Sequence, residues 1–416
     1  MVTSKVFVYV LNKHGKPLMP CSPRKARVLL RDKKAKVVKY APFTIQLLYG
    51  SSGYKQPITL GVDAASKNGG LSATTDKEEL FSAEFVLRND IVDLLSGRRA
   101  CRRNRRNRKT RYRKCRFLNR VKSKPKGWIA PSIRNKIEVH KRIIQQVCEI
   151  LPITKIIVES AQFDISKINN PDIKGKEYHE GPQLNFWNVR EYVLFRAGHK
   201  CQGKKGCKEK ILNVHHIETR AIGGDAPNNL ITLCKYCHDD YHKGKLKLDI
   251  KRGKSFRDAA FMGIMRKYLF NELKELYSNV EETFGYITKN TRISNGIEKS
   301  HVGDAFCITG NINSIRTGIN FKIRTIRRHN RQIHKLIINK GGTRKMNQSS
   351  YITHGFRLFD KVSFDGKECF IYGRRKSGSF NIRKIDGEII RKNITFRKLC
   401  LVDIGHTIIW ALAKDR

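Results

Sequence analysis

The sequence predicts an α/β chain of several domains, and three observations carry that expectation. Strand-like apolar runs alternate with helical patterns and twice close on a carboxylate; an arginine-rich run separates two such stretches; four cysteines cluster near the middle of the chain. At 416 residues and ~150 residues per domain, two to four domains fit. A hydrophobic fraction of 39% with 9% aromatic residues supplies real cores and excludes wholesale disorder. The formal net charge of +49, from 85 basic against 36 acidic residues, exceeds what solubility needs and points to a polyanion, above all nucleic acid. The longest apolar runs, such as Val6 to Leu11, fall short of the ~18 residues of a membrane span. The N-terminus also lacks the apolar stretch of a secretory signal. A soluble, cytoplasmic protein with no membrane partner is expected.

The elements follow in order. VFVYVL reads as a strand and KPLMPCSP as a turn. In RKARVLLRDKKAKVV, Ala26, Leu29 and Leu30 recur at helical spacing before a break at Asp32–Lys33–Lys34, giving a small β/α unit. From Ile58, ITLGVD is a short apolar run closing on Asp63, followed by the turn-rich AASKNGG. LSATT and ELFSAEFVL are two further strands, separated by Asp76–Lys77. Between Asp93 and Glu138 no acidic residue occurs, and positions 94–137 carry 12 Arg and 6 Lys. Pro and Gly are absent from Arg98 to Lys124, so one long helix is allowed, but it would repel itself without phosphates along its length. Arg98, Arg99, Arg102, Arg103, Arg105, Arg106, Arg108, Arg111 and Arg113 are the candidate nucleic-acid contacts, since guanidinium suits bidentate phosphate binding and stacking on bases. After Pro125, Gly127 and Pro131, an amphipathic helix capped at Ser132 carries the stripe Ile133, Ile137, Ile144, Val147 and Leu151. Pro152 ends it, and ITKIIVE is a buried strand closing on Glu159.

Two apolar strands thus present a carboxylate at their C-terminal ends. Downstream, KSHVGDAFCI places His301 and Asp304 three apart, on one helical face. Three carboxylates and a histidine converging on one sheet edge would bind two Mg²⁺ ions, the arrangement that serves phosphodiester cleavage. Cys201/Cys207 and Cys234/Cys237 can close a tetrahedral four-thiolate zinc site, the second pair with tight CxxC spacing and the first with five intervening residues. Such a module needs the metal because it has little core of its own. Scattered cysteines such as Cys21, Cys148 and Cys307 read as ordinary thiols. Near the end, RTIRRHNRQIHK is a basic helix or loop. Alternating strands with turns at Asp365–Gly366 and Asp386–Gly387 then read as a small β-barrel-like domain. Arg374 and Arg375 within it are candidates for base or phosphate contact.

Between the cysteine pairs lie HHI, GGD, NNL and CH, and this segment resembles the HNH (ββα-metal) nuclease motif. The resemblance implies that His216 is the general base that activates water, the task for which an imidazole is suited. It implies His215 and His238 as Mg²⁺ ligands, His242 as an accessory ligand, and Asn229 as the residue that orients hairpin and base. His215 stands where many members of that family carry Asp.

In their order, the parts resemble IscB over nearly the full length, a family of transposon-encoded, RNA-guided DNA endonucleases related to type II CRISPR effectors. The residues that carry this are PLMP at 17–20, GVDAASKNGG, the arginine run, IIVESAQFD, the HNH segment, TFGYITKNTR and KSHVGDAFCI. The resemblance implies a PLMP domain at 1–56, RuvC segments at 57–95, 125–183 and 249–310, and a bridge helix at 96–124. The HNH module would occupy 184–248 and a domain that reads a target-adjacent motif 311–416. It implies an RNase H-like RuvC core with Asp63, Glu159, Asp304 and His301 as Mg²⁺ ligands, and an inserted zinc-supported HNH module. A guide (omega-type) RNA and a double-stranded DNA target are the implied partners of a monomeric protein. HNH would cut the guide-paired strand and RuvC the displaced one. Two other readings stand beside this one: a guide-independent HNH endonuclease of the homing or restriction type, and a non-catalytic RNA-guided DNA-binding protein.

Overall fold

A computed structural model of the chain describes residues 2–3, 6–51, 53–106, 128–160, 189–204, 206–219, 226–248, 257–327 and 350–414. The chain divides into two compact units, one of Met1–Ala161 with Ile264–Arg416 and one of Gln162–Gly263. No helix among the described residues is long and apolar enough to cross a membrane.

The first unit opens with β1 (Val8–Leu11), β2 (Pro17–Cys21), α1 (Pro23–Arg31), β3 (Ala35–Tyr40) and β4 (Phe43–Leu47). These strands form a sheet in the order β2-β1-β4-β3 around Val8, Val10, Leu18, Ala26, Ile45 and Leu47. PLMPC is therefore a strand, where a turn was expected. It lies at the sheet edge, and Pro17 is its first residue, positions where prolines lacking N–H groups are tolerated. Ser22 caps α1 by accepting from the Lys25 N–H.

The large sheet begins with β5 (Thr59–Asp63), β6 (Asn68–Thr74) and β7 (Glu79–Val86), three antiparallel neighbours. β6 starts at Asn68, so Gly69 and Gly70 belong to the strand and not to the expected turn. α2 (Ile91–Arg106) follows, starting ahead of the basic run and including Gly97. Positions 107–127, with Arg108, Arg111 and Arg113, lie outside the described residues. α3 (Pro131–Cys148) buries the expected Ile133, Ile137, Ile144 and Val147, and with them His140 and Ile143. It begins one residue before Ser132, with Ala130 at the cap and no side-chain cap bond; Pro131 opens the first turn with its φ already helical.

β8 (Lys155–Ser160) then pairs in parallel with β5. Further along the chain come α4 (Arg257–Leu276), which begins in the second unit's stretch and continues into the first's, β9 (Val280–Phe284), α5 (Gly285–Ser294), α6 (His301–Ile308) and β10 (Ile319–Thr325). Met265, Leu269 and Leu273, at four-residue spacing, are the buried stripe of α4. Glu272 ties that helix to α3 by accepting from Arg134 and from Lys141 Nζ at 2.7 Å.

β11 (Lys361–Phe364), β12 (Lys367–Arg374), β13 (Ser379–Arg383), β14 (Ile389–Thr395) and β15 (Cys400–Asp403) make a separate antiparallel sheet in the order β14-β13-β12-β11-β15. β16 (Ile408–Lys414) returns to β10, so the large sheet runs β9-β8-β5-β6-β7-β10-β16. Positions 311–416 are accordingly split, with β10 and β16 extending the large sheet and only 361–403 forming the small one. Sequence patterning marks strands but not which sheet they join; β16 pairs antiparallel with β10, with Ile408, Ile409 and Trp410 buried.

The second unit contains a helix (Val189–Arg196), a hairpin of Leu212–His216 with Leu230–Cys234, and a helix (Lys235–His242). Among its described residues Ile231, Leu233, Cys234 and Cys237 form a buried cluster, with Cys201, Cys207, Leu212 and Ile217 packed on it, and Val193, Leu194 and Leu230 are also buried.

Candidate active site

The first unit gathers the predicted carboxylates at the carboxyl end of the large sheet. Asp63 ends β5 and is 6% exposed; Glu159 lies near the end of β8. α6 crosses this region because the sheet beneath it is faced with glycine: a Cβ on Gly61 would run into the Ala305 carbonyl, and one on Gly70 into that of His301. The close approach puts His301 Nδ1 2.7 Å from Asp63 Oδ2. Ser300 caps the helix by accepting from Gly303 N, which fixes its first turn and with it His301 and Asp304.

Two arginines that the sequence reading missed complete the cluster. Arg266 on α4 is 7% exposed; its Nε donates to the Ala64 carbonyl at 2.8 Å, and its Nη2 lies 3.2 Å from Glu159 Oε1 and 4.0 Å from Asp63 Oδ1. Arg292 on α5 holds Asp304 Oδ1 at 3.1 Å. Burial raises the Glu159 carboxyl above its ordinary value; Arg266 opposes that shift and Asp63 adds to it. Asp304 is likewise raised by burial and by Asp63, against the pull of Arg292. The bond to Asp63 raises the His301 imidazole. Buried carboxylates that repel one another and lean on fixed cations are a donor set that suits a hard divalent cation. The ligand atoms of this cluster are nevertheless not drawn to within 4.8 Å of one another, as those of the two sets below are.

The second unit holds both of those sets. Cys201, Cys207, Cys234 and Cys237 bring their sulfurs together, the wide first pair as well as the tight second. Cys207 and Cys234 Sγ are 3.7 Å apart, close to the ~3.8 Å edge of a tetrahedron with ~2.3 Å zinc–sulfur bonds. Cys201 Sγ accepts from the Cys234 and Gly203 N–H groups at 3.1 and 3.4 Å, and Cys234 Sγ from Cys237 N–H at 3.3 Å. Such bonds favour thiolates. Burial, with Cys234 and Cys201 adding to it, pushes the Cys237 thiol up to about 12, a shift that a bound cation would reverse. The four-cysteine cluster fits zinc.

His215, His238 and His242 form the other set, with ring centroids 4.5–5.0 Å apart. His238 and His242 are one turn apart on the short helix and face His215 on the hairpin. His242 is thus a full member of the set. Burial lowers the His215 imidazole, and its histidine neighbours lower it further, so the neutral, ligating form is favoured. His216 is the next residue on the strand and is not part of this set. Asn229 is fully buried: its Oδ1 accepts from Glu218 N at 2.9 Å and its Nδ2 donates to the Glu218 carbonyl at 3.0 Å. These bonds fix the chain just after His216.

Of the predicted nucleic-acid contacts, Arg98, Arg99, Arg102 and Arg103 are exposed on α2, while Arg105 and Arg106 lie in its last turn. Arg374 donates to the carbonyls of Ser350, Tyr351 and Phe356, so its guanidinium is committed to the fold; Arg375 is exposed.

Residues 8–181 match the family model described as RRXRR protein, and residues 200–244 match that of the HNH endonuclease. Anaredoxin of Nostoc sp. is 51% identical over 41 residues, covering 10% of this chain and 54% of the relative. The chain thus spans about half the length of that curated relative. Two crystal structures of Streptococcus thermophilus Cas9, in complex with AGGA PAM and AGAA PAM, align at 14% identity with TM-scores of 0.31 and 0.30, over 44% of this chain and 26% of theirs. An RRXRR region followed by an HNH endonuclease domain bears out the resemblance to IscB in the identity and order of these two parts.

Proposed function

We propose that the chain is an RNA-guided, Mg²⁺-dependent DNA endonuclease with two cutting sites. The observation that carries the reading is the presence of two unlike polar constellations in two compact units, together with Arg98, Arg99, Arg102 and Arg103 exposed on α2. In the HNH unit, His216 takes the proton of the attacking water, His215, His238 and His242 hold a divalent cation, and Asn229 fixes the strand end. In the first unit, which we read as an RNase H-like RuvC core, Asp63, Glu159, Asp304 and His301 hold Mg²⁺, and His301 keeps the Asp63 carboxylate oriented. Bound Mg²⁺ would supply water activation and charge stabilisation of the leaving oxygen. The bridge-helix arginines, Arg98 to Arg113, would neutralise guide-RNA phosphates, while base pairing supplies sequence choice. The domain limits proposed are 1–56, 57–95, 96–124, 125–183, 184–248, 249–310 and 311–416, the last including β10 and β16 of the large sheet.

The test is cleavage of a target duplex with each strand separately labelled, using protein purified with RNA from its own locus. His216→Ala should slow cutting of the guide-paired strand by about 10²–10⁴-fold and spare the displaced strand. Asp63→Ala should do the reverse. Loss of both cuts from either change, or equal cutting by RNA-free protein, would overturn the assignment.

A further inference from the structure

Beside the carboxylate cluster, two large aromatic side chains stand in solvent. Phe284 ends β9 and Tyr286 is the second residue of α5; they are 40% and 65% exposed, and their rings are parallel within 10° at a centroid distance of 6.0 Å. Burying such rings would be the ordinary use of them, and exposing two side by side leaves a large apolar, π-rich face uncovered. Their position is not arbitrary. β9 is the edge strand next to β8, and its register sets Thr283 opposite Glu159 and Phe284 opposite Ser160. Gly285, between the two rings, is so close to Glu159 that an added Cβ would sit 3.3 Å from its Oε1. The rings therefore flank the backbone against which a proposed metal-binding carboxylate rests. Lys289 is exposed one turn beyond Tyr286, on the same side of the helix.

We propose that Phe284 and Tyr286 form a stacking platform for the bases of the single DNA strand that enters the carboxylate site, with Lys289 contacting its backbone. A flat π-face next to a cation, at a site whose ligands would act on a phosphodiester, is the pattern that holds single strands without regard to sequence. A protein segment would instead call for an apolar groove, and the exposed lysine beside the rings favours a polyanion. The platform sets which phosphate reaches Glu159, so these are positioning residues. The inference rests on the proposed nuclease reading, and its test separates the two.

The measurement is quenching of 2-aminopurine in a single-stranded DNA oligonucleotide by the full chain with its RNA, in EDTA so that nothing is cut, followed by mapping of cut positions in Mg²⁺. Phe284→Ala with Tyr286→Ala should abolish quenching and weaken strand binding about tenfold or more, in line with stacking worth ~1–3 kcal/mol per base. Cuts by the carboxylate site should then spread over neighbouring phosphates. Tyr286→Phe should restore both, and Tyr286→Leu, equally apolar, should not. Unchanged quenching in the double variant, or full rescue by leucine, overturns the platform. A parent that quenches but never cuts, with quenching lost in the double variant, supports the platform while contradicting the nuclease reading.

Discussion

The two units reach preorganised polar sites by opposite routes. In the first, position comes from packing: a seven-stranded sheet with glycines where α6 presses on it, and helices that deliver His301, Asp304, Arg266 and Arg292 onto strand ends. In the second, among the described residues, cysteines make up half of the buried cluster of Ile231, Leu233, Cys234 and Cys237, and the hairpin and helix that carry the histidines spring from that sulfur cluster. A large apolar core can impose a site without help. A small module must borrow a metal to do the same.

Removing zinc is the sharpest way to break this comparison, because a structural zinc is worth about 10–16 kcal/mol, more than a small module's whole stability. Stripping the metal with a strong thiol-competing chelator, or Cys234→Ser, should unfold positions 189–248 while the large sheet keeps its hydrogen-exchange protection. Elemental analysis should give one zinc per chain before treatment. Unaltered protection of the Leu230–Cys234 strand after zinc loss would show that the hairpin stands without it.

The first unit should respond to charge where the second responds to metal. Arg266→Met leaves Glu159 and Asp63 without their nearest guanidinium, and breaking a buried pair of this sort costs about 3–5 kcal/mol. Denaturant unfolding should show that loss, and Mg²⁺ should restore more stability to the variant than to the parent. An equal response of both proteins to Mg²⁺ would separate Arg266 from the cation site.

A smaller effect should come from within the packing. His140 is 1% exposed, its Nδ1–H donates to the Lys136 carbonyl at 2.7 Å, and its Nε2 has no partner among the described residues. Burial lowers its pKa from 6.5 to about 4. The unfolded chain therefore takes up a proton there first as pH falls. Stability is full above pH ~6.5 and falls toward pH ~4, by on the order of 3 kcal/mol for this group. His140→Phe should flatten that part of the stability curve in urea titrations; an unchanged slope would place the acid sensitivity elsewhere.

Much of this was legible from residue spacing. CxxC with a second cysteine pair, HH followed by CH and a further His, and apolar runs ending in Asp63 and Glu159 all encode local chemistry at fixed sequence distances. The stripe of α3 was also legible, since helical periodicity survives whatever it packs against. The PLMP strand was not, because prolines signal a turn until an edge position explains them. Arg266 and Arg292 were invisible among 85 basic residues, and Arg374 looked like a surface contact until its three carbonyl partners were seen.

By itself the sequence determined the strongly basic charge, the spacing of the four cysteines and of the histidines, and the order of the RRXRR and HNH parts. Only the tertiary structure decided which cations meet which carboxylates, that His242 joins His215 and His238, and that β16 returns to the large sheet. The physical reason is separation along the chain. Arg266 donates to a carbonyl 202 positions away, and such a contact is fixed by sheet register, helix packing and glycine clearance, none of which leaves a local pattern in sequence.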